Sequence, residues 1–228
     1  MKKNILIVGG SSSIGKEVIK NLKIKQYNIY ATYNLNKIKN NKIKTFNVNL
    51  QNLNEIKKLI YNFKKEKIKF DNVIFLQGIL FSLNLERYSE KKILDVFSIN
   101  TLSIIFFTKE LLKILNKKSM VVIVSSISGL NGSYDPIYSA SKSALHGFVK
   151  SLSKWLAPKH RFVCLNPTPI SGTKLYNNFS KKRKTYHKRS NPMKETVKNS
   201  DFAKIIIDIL EPNWKHINGS IINISGGV

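Results

Sequence analysis

Short runs of apolar residues recur along the chain, separated by polar and glycine-containing segments. The first run, at residues 5–8, is continuous rather than alternating, which is typical of a strand buried on both faces of a parallel sheet. Six further segments are predicted to be strands of the same sheet. The seven predicted strands lie at residues 5–8, 28–33, 44–48, 72–76, 120–125, 162–165 and 220–224.

Apolar residues with helical spacing lie between most of these strands. The longest helical region, residues 89–115, is predicted to break near Asn100. Ser200 is predicted to cap the last helix, because a serine hydroxyl can accept a hydrogen bond from a free helical N–H. The apolar positions of the predicted helices fall within residues 18–22, 53–63, 89–115, 137–156 and 202–210.

The alternation of strands and helices predicts an α/β fold, a doubly wound parallel sheet of about seven strands with helices on both faces. We expect a single domain over residues 1–228. The least regular stretch, residues 174–200, is predicted to be a long loop rich in lysine and arginine. Two interpretations of this loop stay open, a mobile lid over a substrate and a solvated basic surface.

The fourth predicted helix carries the pair of residues with the clearest chemistry. Asp135 and Pro136 are start signals for this helix, and Pro158 ends it. Tyr138 and Lys142 are four residues apart, so their side chains leave one face of the helix one turn apart. A nearby ammonium lowers the pKa of a phenol from its usual value near ~10. Such a tyrosine can give a proton to a carbonyl or take one from an alcohol.

A glycine-rich turn, Gly9–Gly15, follows the first strand and precedes the first helix. Strand, turn and helix N-terminus in this order form a phosphate cradle, because free N–H groups and the helix dipole attract anions. In a doubly wound sheet, ligands bind beyond the carboxyl ends of the strands. Gln77, Gly78, Ser126 and Pro167 also lie at strand ends, so we expect one site at this edge.

The composition narrows the class of protein. No run of eighteen apolar residues is present and the N-terminal apolar run is too short for a signal peptide, so neither a membrane span nor secretion is expected. Cys164 is the single cysteine, which excludes an intramolecular disulfide and fits a reducing, cytoplasmic location. The four histidines lack ligand-like spacing, and no metal site is predicted.

The formal net charge of +26 would attract polyanions such as nucleic acid, an anionic membrane or an acidic carrier protein. Two origins of this charge stay open. An AT-rich genome favours lysine, asparagine and isoleucine, all of which are abundant in this chain. The scarcity of aspartate and glutamate does not follow from that bias, which leaves a selected basic surface as the alternative.

These motifs resemble those of the short-chain dehydrogenase/reductase family, of classical type, and the resemblance covers essentially the whole chain. The catalytic serine of the family is similar to Ser126, three residues before Gly129, and Ser125 is the less favoured candidate. The four catalytic positions of the family resemble Asn100, Ser126, Tyr138 and Lys142.

The resemblance implies hydride transfer between a nicotinamide ring and a carbonyl carbon. It implies that Tyr138 is the general acid in reduction and the base in oxidation, and that Lys142 lowers its pKa and holds the nicotinamide ribose. Ser126 would hydrogen-bond the substrate oxygen and stabilise developing negative charge. Asn100 would hold a water that links Lys142 to solvent.

The resemblance also implies a set of cofactor-binding residues, with some departures from the family pattern. Ser13 replaces the usual middle glycine, Val8 replaces the usual threonine, and Leu76-Gln77-Gly78 replaces Asn-Ala-Gly. The implied cofactor-binding residues are Gly9, Ser11, Ser12, Ser13, Ile14, Gly15, Tyr33, Asn34, Asn47, Val48, Gln77, Gly78, Tyr138, Lys142, Pro167, Ile170 and Thr173.

The choice between NAD(H) and NADP(H) depends on the end of the second strand. A carboxylate there would bind the 2′-hydroxyl of NAD and repel a 2′-phosphate. Residues 32–37 contain no acid, and Lys37 and Lys39 supply positive charge. We therefore expect NADP(H), with NAD(H) as the alternative.

Two functions are weighed. The first is a reductase or alcohol dehydrogenase whose basic lid would suit an anionic substrate, such as an acyl group on an acidic carrier protein or a sugar-type ketone. The second is a non-catalytic protein with a dinucleotide fold that binds nucleic acid or another polyanion. The four catalytic positions and the lack of a basic groove interleaved with aromatic residues argue against the second. By resemblance, we expect a homodimer or homotetramer.

Overall fold

A computed structural model describes residues 2–228. Its centre is a seven-stranded sheet with the order β3-β2-β1-β4-β5-β6-β7, in which all neighbouring strands are parallel. The predicted doubly wound α/β fold is confirmed. The strands are β1 (Lys3–Val8), β2 (Tyr27–Tyr33), β3 (Lys44–Asn47), β4 (Phe70–Phe75), β5 (Leu115–Val124), β6 (His160–Pro167) and β7 (Ile221–Ile224).

Helices cover both faces of the sheet. Those that pack on one face are α2 (Leu53–Lys65), α4 (Ser103–Leu111) and α6 (Pro136–Trp155), and those on the other face are α1 (Ser13–Asn21) and α9 (Asn199–Ile209). The shorter helices are α3 (Glu90–Phe97), α5 (Ser128–Asn131), α7 (Lys174–Asn177) and α8 (Lys181–Ser190). Single 3₁₀ turns lie at Leu85–Arg87, Leu112–Ile114 and Pro212–Trp214.

The continuous apolar runs of the strands supply two cores at once. Successive side chains of a strand point to opposite faces. Leu6 therefore packs with the helices α2, α4 and α6, and Ile7 packs with α1 and α9. Both side chains are fully buried, and each such burial stabilises the fold by about 1.5–3 kcal/mol.

The predicted break near Asn100 is confirmed as a turn of π-helix, Ser98–Leu102, which joins α3 to α4. A π turn adds a residue to the helical repeat and is often found at functional sites. Here it carries Asn100 into the protein interior, where the residue is fully buried.

Three details of the sequence-based assignment are wrong. Residues 174–200 are not one loop, because they contain α7 and α8. Ser200 does not cap α9, which begins at Asn199, two residues earlier than predicted, and has no side-chain cap. Strand β5 begins at Leu115, since the polar residues that follow still belong to the strand. Polar stretches were assigned to loops in each case, because only apolar periodicity was available to define the elements.

No helix within residues 2–228 has both the length and the apolar composition needed to cross a membrane.

Candidate active site

The predicted catalytic residues meet at the carboxyl edge of the sheet, beside the point between β1 and β4 where the strand order reverses. Ser126 follows β5, and Tyr138 and Lys142 stand on α6. Asn100 lies in the π turn, which packs against α6. These four residues are called the catalytic corner below.

Lys142 is buried between the ends of β4 and β5. Only 3% of the residue is exposed, and its Nζ donates to the carbonyl oxygens of Val124 at 3.0 Å and Gln77 at 3.4 Å. Burial lowers the pKa of Lys142 to about 8, and the nearby Cys164 opposes this in part. A Cβ at Gly78 would lie 3.2 Å from Nζ, so glycine at this position leaves room for the ammonium.

Tyr138 stands on the first turn of α6, one turn before Lys142. Burial raises the pKa of its phenol, the Ser126 hydroxyl lowers it, and the Asp135 carboxylate raises it. The Lys142 ammonium donates to two backbone carbonyls, and its effect on the pKa of Tyr138 stays a prediction. A phenol with a raised pKa keeps its proton at neutral pH, so Tyr138 is a proton donor in this structure.

Two consecutive serines at the end of β5 have different partners. The hydroxyl of Ser126 interacts with the Tyr138 phenol and accepts the N–H of Ser128 at 3.2 Å. The hydroxyl of Ser125 donates to the carbonyl oxygen of Lys142 at 2.8 Å. Ser126 is thus the serine beside the phenol, while Ser125 fastens α6 to the end of the strand.

The amide of Asn100 joins the loop after β4 to α6. Its Oδ1 accepts the N–H of Ile79 at 2.8 Å, and its Nδ2 donates to the Ile79 carbonyl and the Ser141 hydroxyl, both at 3.0 Å. The neighbouring Thr101 donates to the carbonyl oxygen of Ser141 at 2.7 Å. The side chain of Asn100 is therefore a structural clamp, and its role in holding a water stays a prediction.

The glycine-rich turn between β1 and α1 has the shape of a phosphate cradle. Gly9 adopts a φ of +81°, in the left-handed region that favours glycine. A Cβ at Gly15 would lie 2.5 Å from the carbonyl oxygen of Gly10, so α1 approaches the turn this closely only with glycine there. Ser12 caps α1 by accepting the N–H of Gly15 at 3.0 Å. First-turn N–H groups of a helix lack intrahelical partners and can bind phosphate.

Ser13 connects this turn to residues 174–200, called the lid segment below. Its Oγ accepts the N–H of Lys174 at 3.3 Å, and its carbonyl oxygen accepts a hydrogen bond from the Asn199 amide at 3.0 Å. Both ends of the lid segment are therefore bonded to one residue of the cradle. The sequence identified Ser13 as a replacement for glycine and as a cofactor-binding residue, but not its bonds to the lid segment, because these partners lie 161 and 186 residues further along the chain.

The predicted residues at the ends of β2 and β3 lie side by side. The N–H of Val48 donates to the carbonyl oxygen of Tyr33 at 2.8 Å, and the Asn47 amide donates to the carbonyl oxygen of Asn34. Lys37 is exposed just beyond these strands. A nucleotide bound at this end would meet amides and cations and no carboxylate from residues 32–39.

The predicted residues after β6 support the start of the lid segment. The carbonyl oxygen of Pro167 accepts the N–H of Ile127 at 3.1 Å. The hydroxyl of Thr173 donates to the Ile170 carbonyl at 2.7 Å and accepts the N–H of Tyr176 at 3.2 Å, so it caps α7. Because its donor is engaged, a contact from Thr173 to a dinucleotide stays a prediction.

Two features near the corner were missed from the sequence. Gln77 sends its side chain inward, where its Nε2 donates to the Ser103 hydroxyl at 3.2 Å. Arg183 of α8 donates to the Ser82 hydroxyl at 2.9 Å and stacks on the Phe179 ring at 3.7 Å. Arg183 stands in a run of basic residues, and no signal in the sequence separates it from its neighbours.

The residues present fit a nicotinamide dinucleotide. The cradle touches the corner, because a Cβ at Gly9 would lie 3.3 Å from the nitrogen of Gln77, whose carbonyl binds Lys142. The pyrophosphate would lie against the cradle, and the nicotinamide ring would lie towards Tyr138. No group of three or more histidine, cysteine, aspartate or glutamate side chains suited to a metal ion occurs in the described part of the chain.

Comparisons with known proteins identify the family. The family model for short chain dehydrogenase matches residues 3–184. The 3-oxoacyl-[acyl-carrier-protein] reductase FabG of Buchnera aphidicola subsp. Schizaphis graminum is 27% identical over 237 residues, which cover 100% of this chain and 97% of the relative.

Solved structures share the fold over nearly their whole length. A short chain dehydrogenase family protein from Francisella tularensis superposes with a TM-score of 0.92 at 24% identity, covering 100% of this chain and 98% of that one. BdcA in complex with NADPH superposes with a TM-score of 0.89 at 19% identity, covering 99% and 93%. The chain belongs to the short-chain dehydrogenase/reductase family.

Proposed function

We propose that the protein is an NADP(H)-dependent oxidoreductase that acts on a carbonyl or a secondary alcohol. The observation that carries this proposal is the position of the Tyr138 phenol, beside Ser126 and one turn before the buried Lys142, next to a glycine-rich phosphate cradle. The cofactor supplies or accepts the hydride at the substrate carbon.

Each residue of the catalytic corner has a distinct part in this proposal. Tyr138 gives a proton to the substrate oxygen in reduction and takes it back in oxidation. Ser126 donates a hydrogen bond to the same oxygen as negative charge develops on it. Lys142 holds the nicotinamide ribose from the buried end of the cleft. Asn100 keeps the loop after β4 in register with α6.

NADP(H) is favoured over NAD(H) because of the charges near β2. Residues 32–39 contain no carboxylate that would repel a 2′-phosphate, and Lys37 and Lys39 are exposed there. BdcA, which shares the fold, is seen with NADPH. The remaining cofactor contacts of the proposal come from the cradle and from the predicted residues at the ends of β2, β3, β4 and β6.

The proposed substrate is anionic, with a 3-oxoacyl group on an acidic carrier protein placed first and a sugar-type ketone second. The lid segment, which is part of the same single dinucleotide-binding domain, would cover this substrate. Its helix α8 bears six cations and no acid, at Lys181, Lys182, Arg183, Lys184, Lys188 and Arg189. The FabG relative from Buchnera carries the name of a reductase of such a carrier-linked group.

We also propose that the enzyme is a homodimer or homotetramer. The exposed faces of α3 and the π turn carry Leu94, which is 67% exposed, and Leu102, which is 43% exposed. Apolar side chains of this size on neighbouring elements are suited to a contact between copies of the chain.

Cofactor binding and turnover test the proposal together. NADPH should raise the melting temperature more than NADH at equal concentration, because the ligand that binds the folded state more tightly stabilises it more. Equal shifts would remove the preference for NADP(H). No shift with either would favour the binding of polyanions as the function instead.

Substrate class is tested by following the oxidation of NADPH. A 3-oxoacyl group on an acidic carrier protein should be reduced with a lower KM than the same acyl group on a small neutral thiol. Equal KM values would remove the carrier from the proposal while leaving the reductase intact. The Tyr138→Phe variant serves as the inactive control.

A further inference from the structure

We propose that Asp135 is a positioning residue for Tyr138, whose buried carboxylate holds the first turn of α6 against the loop after β4 and opposite Arg183 of the lid segment. The proposal rests on the proposed function, since it concerns the proton that Tyr138 exchanges. The proposal explains why this position has a negative charge, which helix capping alone does not require.

Asp135 makes more contacts than a helix cap needs. Only 2% of the residue is exposed. One oxygen accepts the N–H of Tyr138 at 2.9 Å, which is the capping bond. The carboxylate also accepts the Tyr88 hydroxyl at 2.8 Å and the N–H of Leu83 at 3.3 Å. The side chain therefore joins two positions of the loop after β4 to the turn that carries Tyr138.

A carboxylate is not the only side chain that could cap this helix. Asparagine and serine cap helices about as well as aspartate. Burying a charge is unfavourable unless it is paired and hydrogen-bonded, and a neutral cap would avoid that penalty. Removing the charge would leave the cap in place, so a function of the charge itself is expected.

Tyr88 fixes the loop after β4 to this carboxylate. Burial raises the pKa of its phenol well above the usual value, and the hydrogen bond to Asp135 and the charge of Asp135 add to this. Tyr88 therefore stays protonated and remains a hydrogen-bond donor. Its ring also meets the Phe81 ring edge-on at 6.2 Å, which holds the phenol in place.

Arg183 of the lid segment lies within electrostatic range of this carboxylate, although its hydrogen bond goes to Ser82. Burial lowers the pKa of the Arg183 guanidinium, and attraction to Asp135 opposes this. The guanidinium in turn lowers the pKa of His187, one turn further along α8, in addition to the effect of burial. The titratable groups around Asp135 are thus Tyr88 from the loop after β4 and Arg183 from the lid segment. Its own helix contributes Tyr138 and, one turn further along, Lys142.

The effect on Tyr138 follows from the signs of these charges. A carboxylate near a phenol disfavours the phenolate, so Asp135 raises the pKa of Tyr138 in addition to the larger effect of burial. The proton then stays on the hydroxyl until the substrate oxygen takes it. Movement of Arg183 with the lid segment would change how strongly Asp135 acts on the phenol.

The Asp135→Asn variant tests this directly. Asparagine keeps the cap but has one acceptor oxygen where the carboxylate has two, so the variant should fold with a moderately lower melting temperature than the wild type. The limb of the pH profile of kcat/KM for NADPH-dependent reduction that reports Tyr138 should move to lower pH. Asp201→Asn, which removes an exposed carboxylate from α9, should leave this limb in place and controls for the loss of one negative charge.

A second measurement does not depend on turnover. Nine tyrosines absorb in this chain, so the phenolate absorbance of Tyr138 is obtained by subtracting the titration of Tyr138→Phe. The same subtraction is made for the wild-type protein and for the protein that carries Asp135→Asn. The Tyr138 phenolate should form at lower pH in the protein without the carboxylate. A protein that proves inactive on every carbonyl would still give this result, which separates a failure of the proposed function from a failure of the inference.

Asp135→Ser is a second neutral variant, which shows whether the shift is specific to asparagine. It also keeps a capping oxygen and removes the charge, so the shift to lower pH should recur. An unchanged limb and an unchanged phenolate titration in both variants would overturn the proposal. So would the failure of both neutral variants to fold, because the carboxylate would then serve stability alone.

Discussion

The catalytic corner and the lid segment adjoin the same edge of the sheet, but they are held in different ways. Asn100 and Lys142 are buried. The Asn100 side chain accepts the N–H of Ile79, and the Lys142 ammonium donates to the carbonyl oxygen of Val124. Helix α8 of the lid segment has no buried residue. Its attachment depends on Arg183 and on contacts around the ring of Phe179.

This difference shows which part of the molecule is fixed and which part can open. Local opening is easiest where few apolar groups are buried. The proposed catalytic residues are therefore held within the core, whereas the segment that would select the substrate can separate from the corner at a small free-energy cost. The following predictions test this contrast.

Removing the reacting hydroxyl should have the largest effect. Tyr138→Phe should lower kcat by about 10²–10⁴-fold, the usual contribution of a general acid. The dissociation constant for NADPH should change little, because the cradle is untouched. Normal turnover in this variant would show that another group donates the proton.

A cavity in the core beneath the corner should destabilise the whole fold. Leu145 of α6 is fully buried, and Leu145→Ala should reduce the free energy of unfolding by about 2–5 kcal/mol. Tyr186→Ala, which truncates an exposed ring of α8, should change it by no more than about 0.5 kcal/mol. Urea denaturation gives both values, and similar losses in the two variants would contradict the contrast.

The two serines that follow β5 should respond unequally. Ser126→Ala removes the proposed donor to the substrate oxygen and should lower kcat by about 10²–10³-fold. Ser125→Ala removes the bond to the Lys142 carbonyl, which contributes about 1 kcal/mol, and should act mainly on stability. Steady-state kinetics and thermal melts of both variants measure these effects. A larger loss of kcat in Ser125→Ala than in Ser126→Ala would contradict the assignment.

The burial of Lys142 predicts how stability depends on pH. Because burial lowers its pKa to about 8, the folded state releases this proton before the unfolded chain does, near the usual lysine value of ~10.4. The unfolded state then binds more protons, so the free energy of unfolding should rise between these two values, by at most ~1.4 kcal/mol per pH unit. Urea denaturation at several pH values across this interval measures the rise, and Lys142→Met should lack it.

The attachment of α8 should be the easiest contact to break. Ser82→Ala removes the acceptor of the Arg183 guanidinium, a bond that contributes about 1 kcal/mol, so cleavage of α8 by trypsin should become about fivefold faster. Ser190→Ala removes a hydroxyl that bonds only within α8 and serves as the control. Equal cleavage rates in the two variants would show that Arg183 does not hold the lid segment.

The sheet could be predicted from the sequence because its strands bury both faces. A short continuous apolar run such as residues 5–8, bounded by polar residues and glycine, is typical of a buried parallel strand. The same pattern located the strand ends, where the site lies. The pair Tyr138 and Lys142 was found because both stand on one helix, four residues apart. Local spacing was enough in both cases.

The remaining features depend on contacts between distant residues. Helix α8 has no apolar stripe, so periodicity could not reveal it, although Ser180 does cap it by accepting the N–H of Arg183. The pKa of Tyr138 depends on burial, on Ser126 and on Asp135, which folding brings to it, and the spacing of residues along the helix could indicate only Lys142. Arg183 and its partner Ser82 are 101 residues apart.

The two bonds of Ser13 have a consequence for the order in which ligands bind. The loop that would receive the pyrophosphate shares this residue with both ends of the lid segment, so occupancy of one is thermodynamically linked to closure of the other. Linkage is reciprocal, so if NADPH tightens the binding of a substrate analogue by some factor, the analogue must tighten NADPH by the same factor. Calorimetric titrations in both orders would measure the two factors. Ser13→Gly removes the hydroxyl that accepts from Lys174 and keeps the carbonyl that accepts from Asn199, so it should reduce both factors equally without abolishing them.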